Sequence, residues 1–146
     1  MEHVAIMKKS WGLTKKILDG RKNIESRWYT TKKVPWNCIK ENDIVYFKDF
    51  GEPVTIKTIV AKVERYENLD EHKVRDLLER IHKDDGIDYG EVDSYAQLFS
   101  KKKYCMLIHL KNPEEIIPFN INKKGFGLMA AWISVDNISR IKVSVV

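Results

Sequence analysis

The fold of this chain is decided at residues 20–27, which read Gly20-Arg21-Lys22-Asn23-Ile24-Glu25-Ser26-Arg27. Upstream, apolar residues recur at helical spacing between Leu13 and Leu18, which predicts a short amphipathic helix. Ser10 is placed to cap the start of that helix, and Gly20 fits the left-handed residue that follows its end. From Asn23 onward the pattern alternates with a period of two, so the stretch predicts a helix that turns directly into a strand.

The predicted helix-to-strand turn concentrates three charged side chains. In the strand, Glu25 and Arg27 point to one side, while Ile24 and Trp28 point to the other. Together with Lys22 they offer an ammonium, a carboxylate and a rigid guanidinium fork, a combination suited to a polar, planar ligand. The same spacing also fits a surface ion pair between Glu25 and Arg27, which would contribute little.

A pattern within residues 20–27 resembles the signature of the ASCH family. The pattern is G-x-K-x-x-E-x-R, formed by Gly20, Lys22, Glu25 and Arg27. Asp43–Lys48 resembles a second feature of the family, a strand that follows a Gly-Asp pair, although Asn42 stands in place of the usual glycine. The resemblance covers the whole chain as one domain, residues 1–146, and implies a small β-barrel related to the PUA fold.

The resemblance also implies binding of RNA or of a modified nucleoside, without a metal or a cofactor. Some ASCH proteins are acetylcytidine amidohydrolases, and another branch is associated with ribonuclease activity. For a hydrolase, the resemblance nominates Lys22 and Glu25 as catalytic, together with a downstream glutamate. The candidates for that glutamate are Glu64, Glu67 and Glu71. The threonine that accompanies the lysine in the amidohydrolase branch is replaced by Glu25, which argues against carrying that activity over.

The charge state of Lys22 separates a binding role from a catalytic one. A nucleophilic or general-base lysine must be partly neutral near pH 7, which requires burial or a neighbouring cation. Arg21 and Arg27 are close enough in sequence to repel its charge, but Glu25 stabilises the ammonium. We therefore expect Lys22 to be charged and to bind ligand, so that Lys22→Ala weakens binding by about 1–3 kcal/mol and abolishes little turnover, because there is little to abolish.

The amino-acid composition limits the classes of protein to which this chain can belong. The chain has 146 residues, of which 43% are hydrophobic and 32% are charged, which is typical of one globular domain. We expect neither a signal peptide nor a membrane span, because no apolar run is long enough. Cys38 and Cys105 lie far apart without a C-x-x-C pattern, so reduced thiols and a cytoplasmic location are expected. The formal charge of +5 favours an anionic partner.

Basic residues alternate with aromatic residues in several segments, a composition that single-stranded nucleic-acid sites use for phosphates and bases. Lys123 and Phe126 lie in a glycine-containing loop suited to close approach of a ligand. Each tryptophan can equally pack against the barrel, and that alternative stays open. The ligand-binding candidates are Lys9, Ser10, Trp11, Lys22, Glu25, Arg27, Trp28, Trp36, Lys48, Lys123, Phe126 and Trp132.

The remaining pattern predicts an α+β fold, a closed or nearly closed barrel of about six strands with an N-terminal helix and a helical insertion. The insertion covers His72–Phe99: a helix at His72–Lys83, an acidic loop, and a second helix capped by Ser94. We assign Asp84 and Asp85 in the loop to solubility. A further alternative for function is a protein–protein surface on the first of these helices.

Strands are predicted wherever apolar residues alternate between turn signals. Lys111-Asn112-Pro113 is interpreted as a turn between two of them. The predicted strands after the motif are Asp43–Lys48, Val54–Val63, Lys103–Leu110, Glu115–Phe119, Met129–Val135 and Ile138–Val145.

Overall fold

The computed structural model describes residues 1–143. Its strands are β1 (Glu2–Met7), β2 (Ile24–Tyr29), β3 (Ile44–Asp49), β4 (Val54–Tyr66), β5 (Tyr104–Ile121), β6 (Trp132–Val135) and β7 (Lys142–Val143). Its α-helices are α1 (Leu13–Leu18), α2 (Glu71–Ile81) and α3 (Val92–Leu98), and short 3-10 turns cover Lys9–Trp11, Tyr89–Glu91 and Ile138–Arg140. No helix within residues 1–143 combines the length and the apolar character needed to cross a membrane.

The strands form one mixed sheet in the order β2-β5-β4-β3-β1-β6, and β7 pairs with β5 outside this path. The pair β1 and β3 is parallel, and the other neighbours are antiparallel. The sheet curls so far that its two edges face each other. Arg27 on β2 donates from Nη1 to the carbonyl of Ala131, 3.2 Å away and directly before β6. This gap between β2 and β6 is called the seam below, and the prediction of a six-stranded, barrel-like α+β fold is confirmed.

The first part of β5, residues 105–108, is apolar on both faces because the sheet is covered on both sides there. Met106 and Ile108 pack with α1 in one core cluster, while Cys105 and Leu107 pack with α2 and α3 in another. The insertion therefore covers one face of the sheet. Its first helix buries the stripe that the periodicity predicts, which consists of Val74, Leu77, Leu78 and Ile81.

Two predicted helix caps are wrong. Ser10 lies in the 3-10 turn Lys9–Trp11, and α1 begins only after Gly12, whose left-handed backbone (φ +64°) separates the two elements. Ser94 lies inside α3, which begins two residues earlier, after a 3-10 turn that Asp88 caps. Both serines stand near apolar residues at helical spacing, but each segment contains an extra 3-10 turn. The N-cap of α1 is therefore Gly12, downstream of Ser10, and the N-cap of α3 is Glu91, upstream of Ser94.

The turn predicted at Lys111–Pro113 is also wrong, because β5 is one strand of 18 residues. Its register against β4 shifts between Lys57 and Ile59, where the two residues Asn112 and Pro113 oppose the single residue Thr58. Asn112 has a positive φ of 53°. A β-bulge of this kind absorbs turn-forming residues without ending the strand.

The end of the chain differs from the prediction as well. Strand β6 begins at Trp132 and not at Met129. The strand predicted at Ile138–Val145 is instead a 3-10 turn, Ile138–Arg140, followed by the two-residue strand β7. Positions 144 and 145 of that prediction lie outside the described residues.

Candidate functional site

A network of buried charges forms at the turn between α1 and β2. Lys22, Glu25 and Asp85 are only 2%, 3% and 2% exposed. The Lys22 ammonium donates to Asp85 Oδ1 at 2.6 Å and to the carbonyls of Ile24 and Asp85 at 2.6 and 2.9 Å. Glu25 Oε1 lies 3.1 Å from the same nitrogen. The three hydrogens of Lys22 are thus shared among four oxygen atoms, and none is left for a ligand.

Arg27 extends the network to the seam. Its Nε and Nη2 lie 2.8 and 2.7 Å from Glu25 Oε2, so Glu25 bridges Lys22 and Arg27. The Nη2 group also faces Met7 Sδ at 3.4 Å, and the guanidinium lies 5.1 Å from the ring centroid of Trp132. The pair expected between Glu25 and Arg27 therefore exists, but it is buried and is shared with a second cation.

Asp85 is the member of the network that sequence analysis assigned to solubility. Its second oxygen accepts from Ser26 Oγ at 2.6 Å, and Ser26 in turn accepts from Trp28 Nε1 at 3.0 Å. The insertion reaches the motif because the carbonyl of Asp84 accepts from the backbone N–H groups of Asn23 and Ile24 at 2.8 and 2.9 Å. The assignment of Asp85 to solubility is wrong, since the fold buries it against Lys22 and Ser26, which lie 63 and 59 positions away in the sequence.

The charges of the network balance. Burial would lower the pKa of Lys22, but the carboxylates of Asp85 and Glu25 outweigh burial and hold its pKa above the ordinary value. Burial likewise opposes ionisation of Glu25, yet Lys22 and Arg27 hold the pKa of Glu25 below its usual range. Burial raises the pKa of Asp85, and the charge of Glu25 adds to that effect, while the Lys22 ammonium and the Ser26 hydroxyl oppose it. Lys22 is therefore a cation at neutral pH, as its neighbour Glu25 led us to expect.

A cavity of about 440 Å³ lies above this network and along the seam. Its walls are aromatic: Trp28 and Phe99 are stacked with ring centroids 5.0 Å apart, and Trp11 meets Tyr95 edge to face at 5.5 Å. The lining residues are Ile6, Met7, Lys8, Trp11, Leu13, Lys22, Glu25, Ser26, Arg27, Trp28, Tyr29, Phe50, Asp85, Ile87, Tyr95, Phe99, Met129, Ala130 and Ala131. The arrangement offers an aromatic, largely apolar cavity above a floor of paired charges.

Five of the predicted ligand-binding residues line this cavity: Trp11, Lys22, Glu25, Arg27 and Trp28. The others lie elsewhere. Trp36 packs in the core, and Trp132 lies behind Arg27. Lys9 pairs with Glu52, and Lys123 donates to the carbonyl of Leu128. The remaining candidates outside the lining are Ser10, Lys48 and Phe126.

The three candidate glutamates also lie away from the cavity. Glu64 pairs with His109 at 2.7 Å, and Glu67 pairs with Lys32 at 2.8 Å. Glu71 begins α2. Asp85 takes the place beside Lys22 that the resemblance led us to expect for one of them. Within residues 1–143, no group of three or more histidine, cysteine, aspartate or glutamate side chains is placed to hold a metal ion.

Sequence analysis missed the aromatic wall that the insertion contributes. Tyr95 and Phe99 belong to α3 and its C-terminal end, and Phe50 follows β3. Each is an ordinary apolar residue in its own segment, so local periodicity assigns it to packing. Only the docking of the insertion beside β2 brings Tyr95 and Phe99 to the cavity. The aromatic spacing of four residues on α3 was the available signal.

Gly86 keeps the insertion close to the motif, which leads to a prediction. Its φ is +76°, and an added Cβ would lie 3.2 Å from Lys22 Cβ, 3.3 Å from Lys22 Cδ and 3.4 Å from Leu13 Cδ2. We expect Gly86→Ala to lower the free energy of unfolding by more than the roughly 1–2 kcal/mol of a left-handed alanine, measured by urea unfolding. Gly51→Ala is the matched control, because Gly51 has φ +80° and nothing within 4 Å of an added Cβ. Equal losses in the two variants would contradict close packing against Lys22.

No protein-family model and no curated protein matches this chain. Among solved structures, the ASCH protein from Zymomonas mobilis is similar over 98% of this chain and 96% of its own, with 14% identity and a TM-score of 0.67. A mutant of the ASCH protein from the same organism is similar over 95% of this chain and 93% of its own, with 14% identity and a TM-score of 0.68. A hypothetical protein, PH0355, is similar over 80% of this chain and 100% of its own, with 22% identity and a TM-score of 0.52.

The similarity to the Zymomonas mobilis protein extends over nearly the full length of both chains, so it includes the insertion as well as the sheet. It agrees with the resemblance that residues 20–27 carry. This chain therefore has the ASCH-like fold, a curled, mixed half-barrel with a short N-terminal helix and a helical insertion.

Proposed function

We propose that this chain binds single-stranded RNA or a modified nucleoside, with one base held in the seam cavity. The observation that carries the proposal is the combination of an aromatic cavity lining with a floor of paired charges. Aromatic walls stack on the face of any base, and polar groups at the end of a slot bind its edge. The cavity volume of about 440 Å³ also falls in the usual range for small-molecule sites.

The balance of charge at the floor favours an uncharged base over a phosphate. Lys22 and Arg27 are matched by Glu25 and Asp85, all of which lie at the cavity. An anion placed there would face two carboxylates. A base edge instead presents neighbouring hydrogen-bond donors and acceptors, which can meet both the carboxylate of Glu25 and the guanidinium of Arg27.

Arg27 has donor capacity to spare for such an edge. One Nη2 hydrogen is directed at the Met7 thioether, a weak acceptor, at 3.4 Å. A carbonyl oxygen of a base is a stronger acceptor and can replace the sulfur without breaking the pair with Glu25. We therefore assign ligand recognition at the floor to Arg27 and Glu25, and we assign to Lys22 the task of holding Glu25 and Asp85 in place.

The hydrolase alternative requires Lys22 to act as a base or a nucleophile. An ammonium that donates to Asp85 and to two carbonyls, and whose pKa is raised, has no lone pair for either task. The protein–protein alternative rests on α2, whose apolar stripe is already buried in the core of this chain. Neither alternative has an observation that favours it over base binding.

Trp11 provides the test of the proposed function. It lines the cavity with 38% of its surface exposed, so its removal should change ligand stacking more than folding. We expect Trp11→Ala to weaken binding of oligouridylate or of nucleosides by about 1–3 kcal/mol, measured by calorimetric titration at low salt. Trp11→Phe should retain much of the affinity, because the ring is kept.

The control for that experiment is Ile117→Ala, since Ile117 is 89% exposed and lies outside the cavity lining. Absence of binding to both oligouridylate and nucleosides at low salt would refute the proposal. The same wild-type samples should be incubated with acetylated cytidine and with unstructured RNA. Cytidine or cut strands that disappear in Lys22→Ala, with binding left intact, would show that the hydrolase alternative is correct.

A further inference from the structure

Five lysines lie in two neighbouring segments that each follow a residue of the cavity lining, and they are called the lysine cluster below. They are Lys32, Lys33, Lys101, Lys102 and Lys103. The first two lie in the loop after β2, and the other three lie in the segment before β5. The backbone N–H of Lys103 donates to the carbonyl of Tyr29 at 2.9 Å, so the two segments leave the sheet side by side.

The lysine cluster is continuous with the cavity. Tyr29 and Phe99 both line the cavity and stand two to four residues before the lysines of their own segments. The backbone N–H of Lys102 donates to the carbonyl of Phe99 at 2.9 Å, which keeps the turn close to the aromatic wall. A strand with one base in the cavity would therefore meet the cluster where its backbone leaves past Tyr29 and Phe99.

Most of the positive charge in the cluster is not neutralised. Lys32 pairs with Glu67 at 2.8 Å, but the other four lysines make no ion pair within 4.0 Å in the described part of the chain. A second carboxylate, that of Asp70, lies near this region, because the N–H of the preceding residue, Leu69, donates to the Lys103 carbonyl. Asp70 instead accepts from the backbone N–H of Lys73. The cluster therefore has five positive charges and one paired carboxylate, that of Glu67, which leaves a local net charge of +4. The formal net charge of the whole chain is +5.

We propose that the lysine cluster binds the phosphates of a single-stranded RNA whose base occupies the seam cavity. The inference rests on the proposed function and specifies its ligand, since a phosphate track favours a polynucleotide over a free nucleoside. The aromatic cavity binds the base, and the lysines bind the backbone on its way out. Lysines suit this role because each is a mobile point charge that follows a flexible strand.

The test replaces the four unpaired lysines with glutamine: Lys33→Gln, Lys101→Gln, Lys102→Gln and Lys103→Gln in one variant. Affinity for a twelve-residue oligouridylate and for uridine is measured at several salt concentrations. We expect oligouridylate affinity to fall at least tenfold at low salt. The slope of log affinity against log salt should become shallower by about 3, because each of the four lost phosphate contacts contributes roughly 0.7. Uridine affinity should not change.

A second variant controls for net charge. It carries Lys40→Gln, Lys62→Gln, Lys111→Gln and Lys142→Gln, at exposed lysines that lie outside the cavity lining and form no ion pair in the described residues. Its oligouridylate affinity should stay within about threefold of wild type, because screened charges at a distance contribute little. Equal losses in the two variants, or a loss of uridine affinity in the first, would overturn the inference. Uridine binding that persists while both variants bind oligouridylate like wild type would overturn it and leave the proposed function standing.

Discussion

Replacing Lys22 with methionine is expected to lower the free energy of unfolding by about 3–5 kcal/mol, the usual cost of removing one partner from a buried ion pair. Methionine fills a similar volume, so the loss comes from charge and not from a cavity. Without the ammonium, Asp85 keeps only Ser26 as a partner, and Glu25 keeps only Arg27. Two carboxylates then face each other in a region that is almost closed to water.

The dependence of this loss on pH identifies its cause. In the variant, burial and mutual repulsion raise the pKa values of Asp85 and Glu25 in the folded state above their unfolded values. Between those two values the folded state binds more protons, so the variant gains stability relative to wild type as pH falls. Urea unfolding of both proteins at pH 7 and pH 5 should therefore show a smaller difference at the lower pH.

Lys15→Met is the matched control for Lys22→Met, since Lys15 is an exposed lysine on α1, the helix that precedes Lys22, and forms no ion pair in the described residues. Its effect should stay within about 0.5 kcal/mol at both pH values. A Lys22→Met variant as stable as this control at pH 7 would show that Glu25 and Asp85 do not depend on the ammonium. That result would favour the ligand-binding role that the sequence predicts for Lys22.

Replacing Trp28 with alanine is expected to lower the free energy of unfolding by about 3–5 kcal/mol, the range for deleting a large buried ring. Trp28 is 7% exposed and stacks on Phe99 with an angle of 8° between the rings. It also donates from Nε1 to Ser26, which in turn donates to Asp85. The variant should lose binding of oligouridylate as well, because Phe99 is left without its partner in the cavity wall.

Trp28→Phe separates packing from the hydrogen bond. The smaller ring keeps contact with Phe99 but cannot donate to Ser26, so a loss of about 1–2 kcal/mol in unfolding free energy is expected. Chemical denaturation gives both stabilities, and calorimetric titration gives both affinities. If Trp28→Ala were as stable as Trp28→Phe, the stacked pair would not be part of the core that joins β2 to the insertion.

Much of the fold could be predicted from the chain because its signals are local. The period-two pattern after Asn23 predicts β2, and the stripe from Val74 to Ile81 predicts α2. Errors occurred where a local signal has more than one structural solution. Asn112-Pro113 is a turn signal that a bulge also satisfies, and the two serines near helix starts were displaced as caps by 3-10 turns.

In the candidate site, too, the local contacts could be predicted from the sequence and the long-range contacts could not. Residues 20–27 alone predict that Lys22, Glu25 and Arg27 meet at one turn, because these residues are only two or three positions apart in the sequence. Only the tertiary structure decided that Asp85, Tyr95 and Phe99 join them. Those contacts depend on the docking of the insertion against the edge of β2, which buries the charges and leaves Lys22 without a free hydrogen. Burial is a property of the whole fold, and it places the Lys22 ammonium between Glu25, which lies on its own segment, and Asp85, which the sequence around Lys22 does not reveal.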